Sequence, residues 1–404
     1  MTRTVDTKIS MPTATLRRAR LAVSVLFVLA GAVMGGWAGR IPSVRDQLGV
    51  SDGEWGLIVL AAPIGVLASL LVLSRVIDRT GARTPSVAGA AGMLVLVPIA
   101  ALATEPWLLI ASLLALGLAQ GLLFGPMNAL AVEVERGYGR SIISSFHFWY
   151  SGGQLLGSLL GVAAGMLETS AALQLAASSL LMAALFLVTL RFLPDTHRTG
   201  AGTPTVLDSP DAAPPRSGIR SWTPQLLLLA AIALLTSLNE GGAVQWSALY
   251  SVGLGGGIAL GSLTLVCYSL AIAAARLVGD RVVEAIGRRR FLQLSAAISM
   301  LGLGVGLLTG TLAGALIGFA CLGVGSGCIV PTVMTLAGNQ PSVPSATAVA
   351  LISIGQWPAF LLGPPIIGGL AELYGLRAAL AMIVLSAVAI IVLASFVREP
   401  ETAR

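Results

Sequence analysis

Glu240 stands next to Asn239 about two-thirds of the way along the apolar run "LLLLAAIALLTSLNEGGAVQWSAL", residues 226–249. A carboxyl group in such a run costs free energy unless it faces water, a partner or a proton. It therefore reads as a group that binds a polar solute or takes up and releases a proton, or as one held by a permanent partner near the end of its helix. His147, in "SSFHFWYSGGQ", carries the side chain that titrates nearest neutral pH. It could relay protons, or sit at a helix end bonded to a carbonyl, Glu133 or Glu135. Arg40 could hold an anion, close an outer gate against Glu168 or Glu372, or snorkel to an interface. The amides of Asn128, Gln154 and Gln356 can hydrogen-bond a polar solute, and Trp37, Trp149, Tyr150, Trp246 and Trp357 can stack on C–H surfaces or flat rings. Trp37, Trp55, Trp107 and Trp246 lie near the ends of apolar runs, where an interfacial aromatic belt also places tryptophan.

Other chemistries are excluded by what the chain lacks. Its two histidines, His147 and His197, cannot build a metal cluster or a histidine-based triad. With Lys8 as the one lysine, neither a phosphate-loop lysine nor a buried Schiff-base lysine exists. Cys267, Cys321 and Cys328 all fall inside apolar runs without metal-ligand spacing. The sequence thus implies no cofactor, no metal and no enzyme.

The elements that must position these residues are membrane helices. The 404 residues are 56% hydrophobic and 10% charged, against about a quarter charged in soluble domains. The net charge of +6 does not point to nucleic acid, because most of the surface must face lipid. Each crossing needs about 20 mainly apolar residues in a helix, since hydrocarbon leaves no other partner for backbone groups. Twelve runs fit: 19–39, 54–74, 84–104, 107–131, 145–166 and 170–192, then 224–248, 256–278, 290–309, 312–336, 345–369 and 375–397. The first run lacks a cleavage site, so it reads as an uncleaved span. With both termini in the cytoplasm, twenty-one of the 24 basic residues fall inside and only Arg40, Arg45 and Arg377 outside, a strong positive-inside bias. The polar stretch from Pro194 to Pro224 has too little apolar surface to fold. The expected units are an N-terminal segment 1–18, a six-helix bundle 19–193, a linker 194–223, a second bundle 224–397 and a tail 398–404.

The bundles echo each other at a nearly constant separation. Trp37 matches Trp246, Asp78 and Gly81 match Glu284 and Gly287, Pro126 matches Pro331, and "SGGQ" at Ser151 matches "SIGQ" at Ser353. Four matches in chain order suggest duplicated units around a midplane site. The turn "SRVIDRTGAR" resembles the G-x-x-x-D-R-x-G-R-R loop of the major facilitator superfamily, with Asp78, Arg79, Gly81 and Arg83 in register and Ser74 and Ala82 departing. In its echo "DRVVEAIGRR", Glu284, Gly287, Arg288 and Arg289 match while Asp280 and Ala285 depart. The stretches "GGWAGRIPSVRDQLGVSDGEWG", "NALAVEVERGYGRSIISSFHFWYSGG" and "NEGGAVQWSALY" are similar to the YbjJ-type inner-membrane facilitators, distant relatives of fucose and other sugar/proton symporters.

The resemblance implies an all-α membrane protein of twelve helices in two pseudo-symmetric bundles. It implies a secondary active carrier of a small polar solute, proton-coupled, monomeric and resident in the inner membrane. In that family the loop carboxylates favour the outward-facing state by pairing with helix ends and basic residues across the halves; fixing topology alone would also place arginines there. Relatives often carry an acid where this chain has Gln245. The segment "GPPIIGG" resembles an antiporter glycine-proline motif, which keeps drug or metabolite efflux open, although it lies in the eleventh run rather than the fifth. A non-transporting receptor is the alternative from another class.

Overall fold

The structure, a computed structural model, describes residues 13–139, 142–195, 222–340 and 343–399. The expected linker and both chain ends fall mostly outside these residues, as do Arg140 and His197. The N-terminal half consists of α1 (Thr13–Leu48), α2 (Asp52–Ile58), α3 (Ala61–Thr80), α4 (Arg83–Ala101), α5 (Pro106–Tyr138), α6 (Ile143–Met166) and α7 (Ala171–Leu190). The C-terminal half consists of α8 (Pro224–Ser251), α9 (Gly257–Ile286), α10 (Arg288–Thr309), α11 (Leu312–Ser326), α12 (Ile329–Gly338), α13 (Ser345–Tyr374) and α14 (Leu376–Ala394). Among the described residues ten helical stretches are long and apolar enough to cross a membrane. One of them, Pro224–Ile286, holds two crossings, because the chain reverses at Gly255 (φ 85°) and Gly257 (φ 62°). The 24-residue α6 supplies the remaining crossing, for twelve in all.

Two crossings are jointed, each for a reason written in proline. Pro63 has no N–H and its ring crowds the carbonyl four residues back, at Val59, where α2 gives way to α3. Pro331 does the same to Gly327, and the tenth crossing breaks into α11 and α12 there. Pro126, the N-terminal counterpart of Pro331, leaves α5 unbroken. Helix starts are held by hydroxyls: Ser51 forms a capping box with Glu54, and Ser170, Thr223 and Thr311 cap α7, α8 and α11. Several helices outrun their apolar stretches, α1 by a further nine residues to Leu48 and α9 by eight to Ile286.

The same pairings recur in the two halves, so the duplication inferred from the sequence is structural. α1 packs on α6 as α8 packs on α13; α4 packs on α5 as α10 packs on α11; α4 meets α7 as α10 meets α14. Both chain halves begin and end on one face, the termini face; the opposite end is the far face. Close approach inside the N-terminal half rests on glycine. A Cβ on Gly153 would lie 2.2 Å from the Val28 carbonyl oxygen, and one on Gly157 2.2 Å from that of Ala32. Gly157→Val must therefore push α1 and α6 apart, with an expected loss of about 3 kcal/mol. The check is the melting temperature of the purified protein, which should fall for Gly157→Val and hold for Gly152→Ala, a position with nothing within 4 Å of its Cβ.

Candidate functional site

The two halves touch through α6 on α9 and, by the same symmetry, α13 on α2. Both seams are tight at the far face. At the first, a Cβ on Gly165 would lie 2.7 Å from the Ala259 nitrogen, and Ser262 Oγ donates to the Gly39 carbonyl at 2.7 Å. At the second, Cβ atoms on Gly56 and Gly368 would lie 2.5 Å from the Pro364 oxygen and 2.6 Å from the Asp52 oxygen. The Gly53 N–H donates across this seam to Glu372 Oε2 at 3.2 Å, and Arg45 pairs with Asp52 at 2.9 Å beneath it. These hydrogen bonds joining the halves lie at the far face.

The apolar cores divide in the same way. One cluster runs from α1 through Trp55 and Trp246 into α10, α11, α13 and α14, so it crosses between halves. A second, around Leu226, Leu229, Leu292, Val333, Ile352 and Val397, belongs to the C-terminal half alone and occupies its termini end. The C-terminal half thus shares a core with the N-terminal half at the far face and keeps its own at the termini face, where no hydrogen bond or ion pair joins the halves among the described residues; the seam at this end is the gap.

Polar residues lie at two depths along the helices of the two halves. With a rise of roughly 1.5 Å per helical residue, Arg276, Asn128, Gln154 and Gln356 lie about 15 Å in from the termini ends of α9, α5, α6 and α13, and Glu240 lies about 24 Å in along α8. Arg276 is solvent-exposed. Its charge reaches groups on both halves, so the exposed side chain turns toward the seam between them. Its charge is felt at Glu240 and Tyr268 in its own half and at His147 and Tyr150 of α6 across the gap. Glu240 has no ion pair within 4.0 Å among the described residues. Gln356 accepts from Ser237 Oγ at 2.9 Å, and Tyr150 meets Phe124 edge-on with ring centroids 6.0 Å apart. Trp357 is half-buried against Phe360.

Several sequence expectations need correction. Trp37 and Trp246 are buried in the shared core rather than exposed to the gap, and Trp55, expected in a belt, is fully buried too. Asn239 is 1% exposed and accepts a hydrogen bond from Ser386 of α14. Successive helical residues point in directions about a quarter-turn or more apart, so Asn239 and Glu240 cannot share a face. Arg40 reaches neither Glu168 nor Glu372; it is buried and donates to the Thr169 carbonyl of its own half. His147 packs edge-on against Phe27 at 5.4 Å, while Glu135 caps α6 through the N–H groups of Ile142 and Ile143 and Glu133 faces Arg136. Asn128 donates to Phe124 of its own helix, and Trp149 is exposed beside Phe148. Sequence reasoning missed Arg276 as a site residue. In the sequence it falls within the run 256–278 but counts only as one of the basic residues that set topology; the structure shows α9 continuing ten residues past it.

Both charged turns are built on glycine. Gly81 adopts a φ of 68° and Gly287 one of 81°, values that glycine takes without a side-chain clash. Arg83 donates to the Leu190 carbonyl at 3.3 Å, and the Arg289 N–H donates to Glu399 at 2.6 Å at the start of α10. Asp78, Arg79 and Glu284 are exposed, and Arg288 is half-exposed; among the described residues none of the four forms an ion pair.

The Major Facilitator Superfamily profile matches residues 21–341 and, in a second alignment, 254–404. An uncharacterized transporter of Sinorhizobium fredii is 31% identical over 387 residues, covering 93% of this chain and 97% of its own. The nucleoside transporter NupG superimposes with a TM-score of 0.73 at 14% identity, over 93% of this chain and 98% of its own. A bacterial homologue of the human lysosomal transporter Spinster, inward-facing and occupied, gives 0.71 at 14%, over 93% and 95%. With its duplicated twelve-helix architecture, its charged turns and this match across most of its length, the chain belongs to the major facilitator superfamily.

Proposed function

We propose that the protein is a proton-coupled secondary carrier of a small polar solute, working by alternating access. The observation that carries this reading is the pairing of a sealed far face with a polar layer open to the other side. The basic residues assign the termini face to the cytoplasm of an inner or plasma membrane, so the structure is read as inward-facing. The bundles 19–193 and 224–397 are the rocking bodies, and the YbjJ-type branch with its sugar symporters serves as the functional analogy. Tyr150, Gln154, Gln356 and Trp357 line the solute path. Glu240 exchanges the coupling proton, with His147 nearer the cytoplasmic mouth as its route to water. Asp78, Arg79, Gly81 and Arg83, with Glu284, Gly287, Arg288 and Arg289, close the inner face in the opposite state. Among the described residues, the lack of ion pairs at Asp78, Arg79, Glu284 and Arg288 fits a conformation with that face open.

The test is counterflow in proteoliposomes. Vesicles loaded with unlabelled solute and given tracer outside should show transient tracer accumulation for sugars or other polar solutes. A receptor gives none, and an efflux antiporter gives uptake when the pH gradient is reversed. Asp78→Asn should weaken closure of the inner face and raise labelling of a cysteine placed at Gln356 by a thiol reagent supplied from the cytoplasmic side. Unchanged labelling would reduce the turn to a topological device.

A further inference from the structure

We propose that Arg276 is an anion receptor and that the solute carries a carboxylate, an inference that rests on the central gap being the solute path. The guanidinium sits inside the membrane span, exposed to the gap, with no carboxylate within 4.0 Å among the described residues. A cation within an apolar run is costly without a counter-charge or water.

The side chain is also fixed in place. Pro331 removes the hydrogen bond that the Gly327 carbonyl would accept within the tenth crossing, and Arg276 Nε donates to that carbonyl at 3.1 Å. This bond uses one of five guanidinium donors and holds the plane of the group. The remaining Nη donors form a fork of the spacing that a carboxylate accepts with two parallel bonds. Lysine, with a single point charge on a mobile stem, would not offer this geometry. The surroundings are built to match, since Gly327 and Gly279 let α9 and α11 cross closely enough for the bond to form. A Cβ on Gly279 would meet Cys328 Sγ at 2.5 Å.

Two other carboxylates compete as explanations for the arginine. Asp280 lies one turn along the same helix, exposed, at the i+4 position where a surface ion pair is worth little. Glu240 lies deeper in the gap on α8 and feels the Arg276 charge without touching it. Neither supplies the two-point contact that the fixed fork presents. Tyr150 of α6, within reach of the Arg276 charge, and the amides of Gln154 and Gln356 on α6 and α13 can hydrogen-bond the rest of such a solute.

The experiment is thermal stabilisation of the full-length protein in detergent, using lactate, gluconate, glutamate and benzoate beside the neutral glycerol, glucose and benzamide and the cation benzylamine. At least one carboxylate should raise the melting temperature of the wild type, and no uncharged or cationic partner should match it. Arg276→Gln should weaken that carboxylate roughly tenfold to a hundredfold, as loss of a charge-assisted bidentate contact does, and Arg276→Lys should retain part of the effect. Asp280→Asn should leave it unchanged. If no carboxylate stabilises the wild type, or if Arg276→Gln responds as the wild type does, the proposal is overturned and Arg276 is a cap on the broken helix. Counterflow separates this from the carrier reading: uptake of a neutral solute that survives Arg276→Gln keeps the carrier and removes the anion site. Carboxylate stabilisation without counterflow of any solute keeps the anion site and removes the carrier.

Discussion

Glu240→Gln is expected to abolish accumulation of solute against its gradient while leaving counterflow intact. A carrier that moves one proton with each solute converts one unit of pH difference into about tenfold accumulation, because each step of about 1.4 kcal/mol is a factor of ten. Glutamine keeps the size and hydrogen-bonding capacity of the protonated acid but cannot release the proton. The variant should therefore resemble a permanently loaded carrier, exchanging solute across the membrane without drawing on the gradient. Accumulation ratios near one at every imposed pH difference, alongside exchange rates close to wild type, are the expected pair of results. Wild-type accumulation in Glu240→Gln would assign coupling elsewhere, with His147 next to examine. The effect is specific to α8, because the neighbouring Asn239 faces α14 and Asn239→Asp should disturb packing rather than coupling.

The second large effect is expected at the far-face seam. Gly368→Leu places a branched side chain where even a Cβ would lie 2.6 Å from the Asp52 oxygen and 3.0 Å from the Gly56 Cα, both backbone atoms of α2 that cannot step aside alone. The far face should then fail to close, and the protein should collect in the opposite conformation. Spin labels at Leu167 and Leu308, exposed at the far ends of α6 and α10, report this directly. Their separation should lengthen in Gly368→Leu, and solute exchange should fall more than tenfold, since a cycle that cannot visit one state cannot turn over. An unchanged distance distribution would mean the seam yields elsewhere. Gly369→Leu, at a neighbouring position with open space around its Cβ, is the matched control.

Architecture was legible in the sequence because hydrocarbon imposes it. Apolar length set the crossings, and the spacing of Gly81 against Gly287 and Pro126 against Pro331 disclosed the duplication on its own. Helix ends were not legible, because α1 continues through Arg40, which reads as a terminator, and α9 runs eight residues past its apolar stretch. The site was half legible. Glu240 declared itself by being an acid inside an apolar run, whereas Trp37 and Trp246 misled because an indole near a helix end serves a belt, a cavity or a core with equal ease. Which face of a helix a residue occupies depends on packing against helices distant in sequence, and that is why Asn239 and Arg40 turned away from the gap.

The unbroken α5 and the jointed α11 and α12 descend from equivalent places in the repeat, yet they differ mechanically. A straight rod passes on torque, whereas an articulated one dissipates it as local bending. The two copies therefore place their elbows differently: the first bends in its second crossing, between α2 and α3, and the second in its fourth, between α11 and α12.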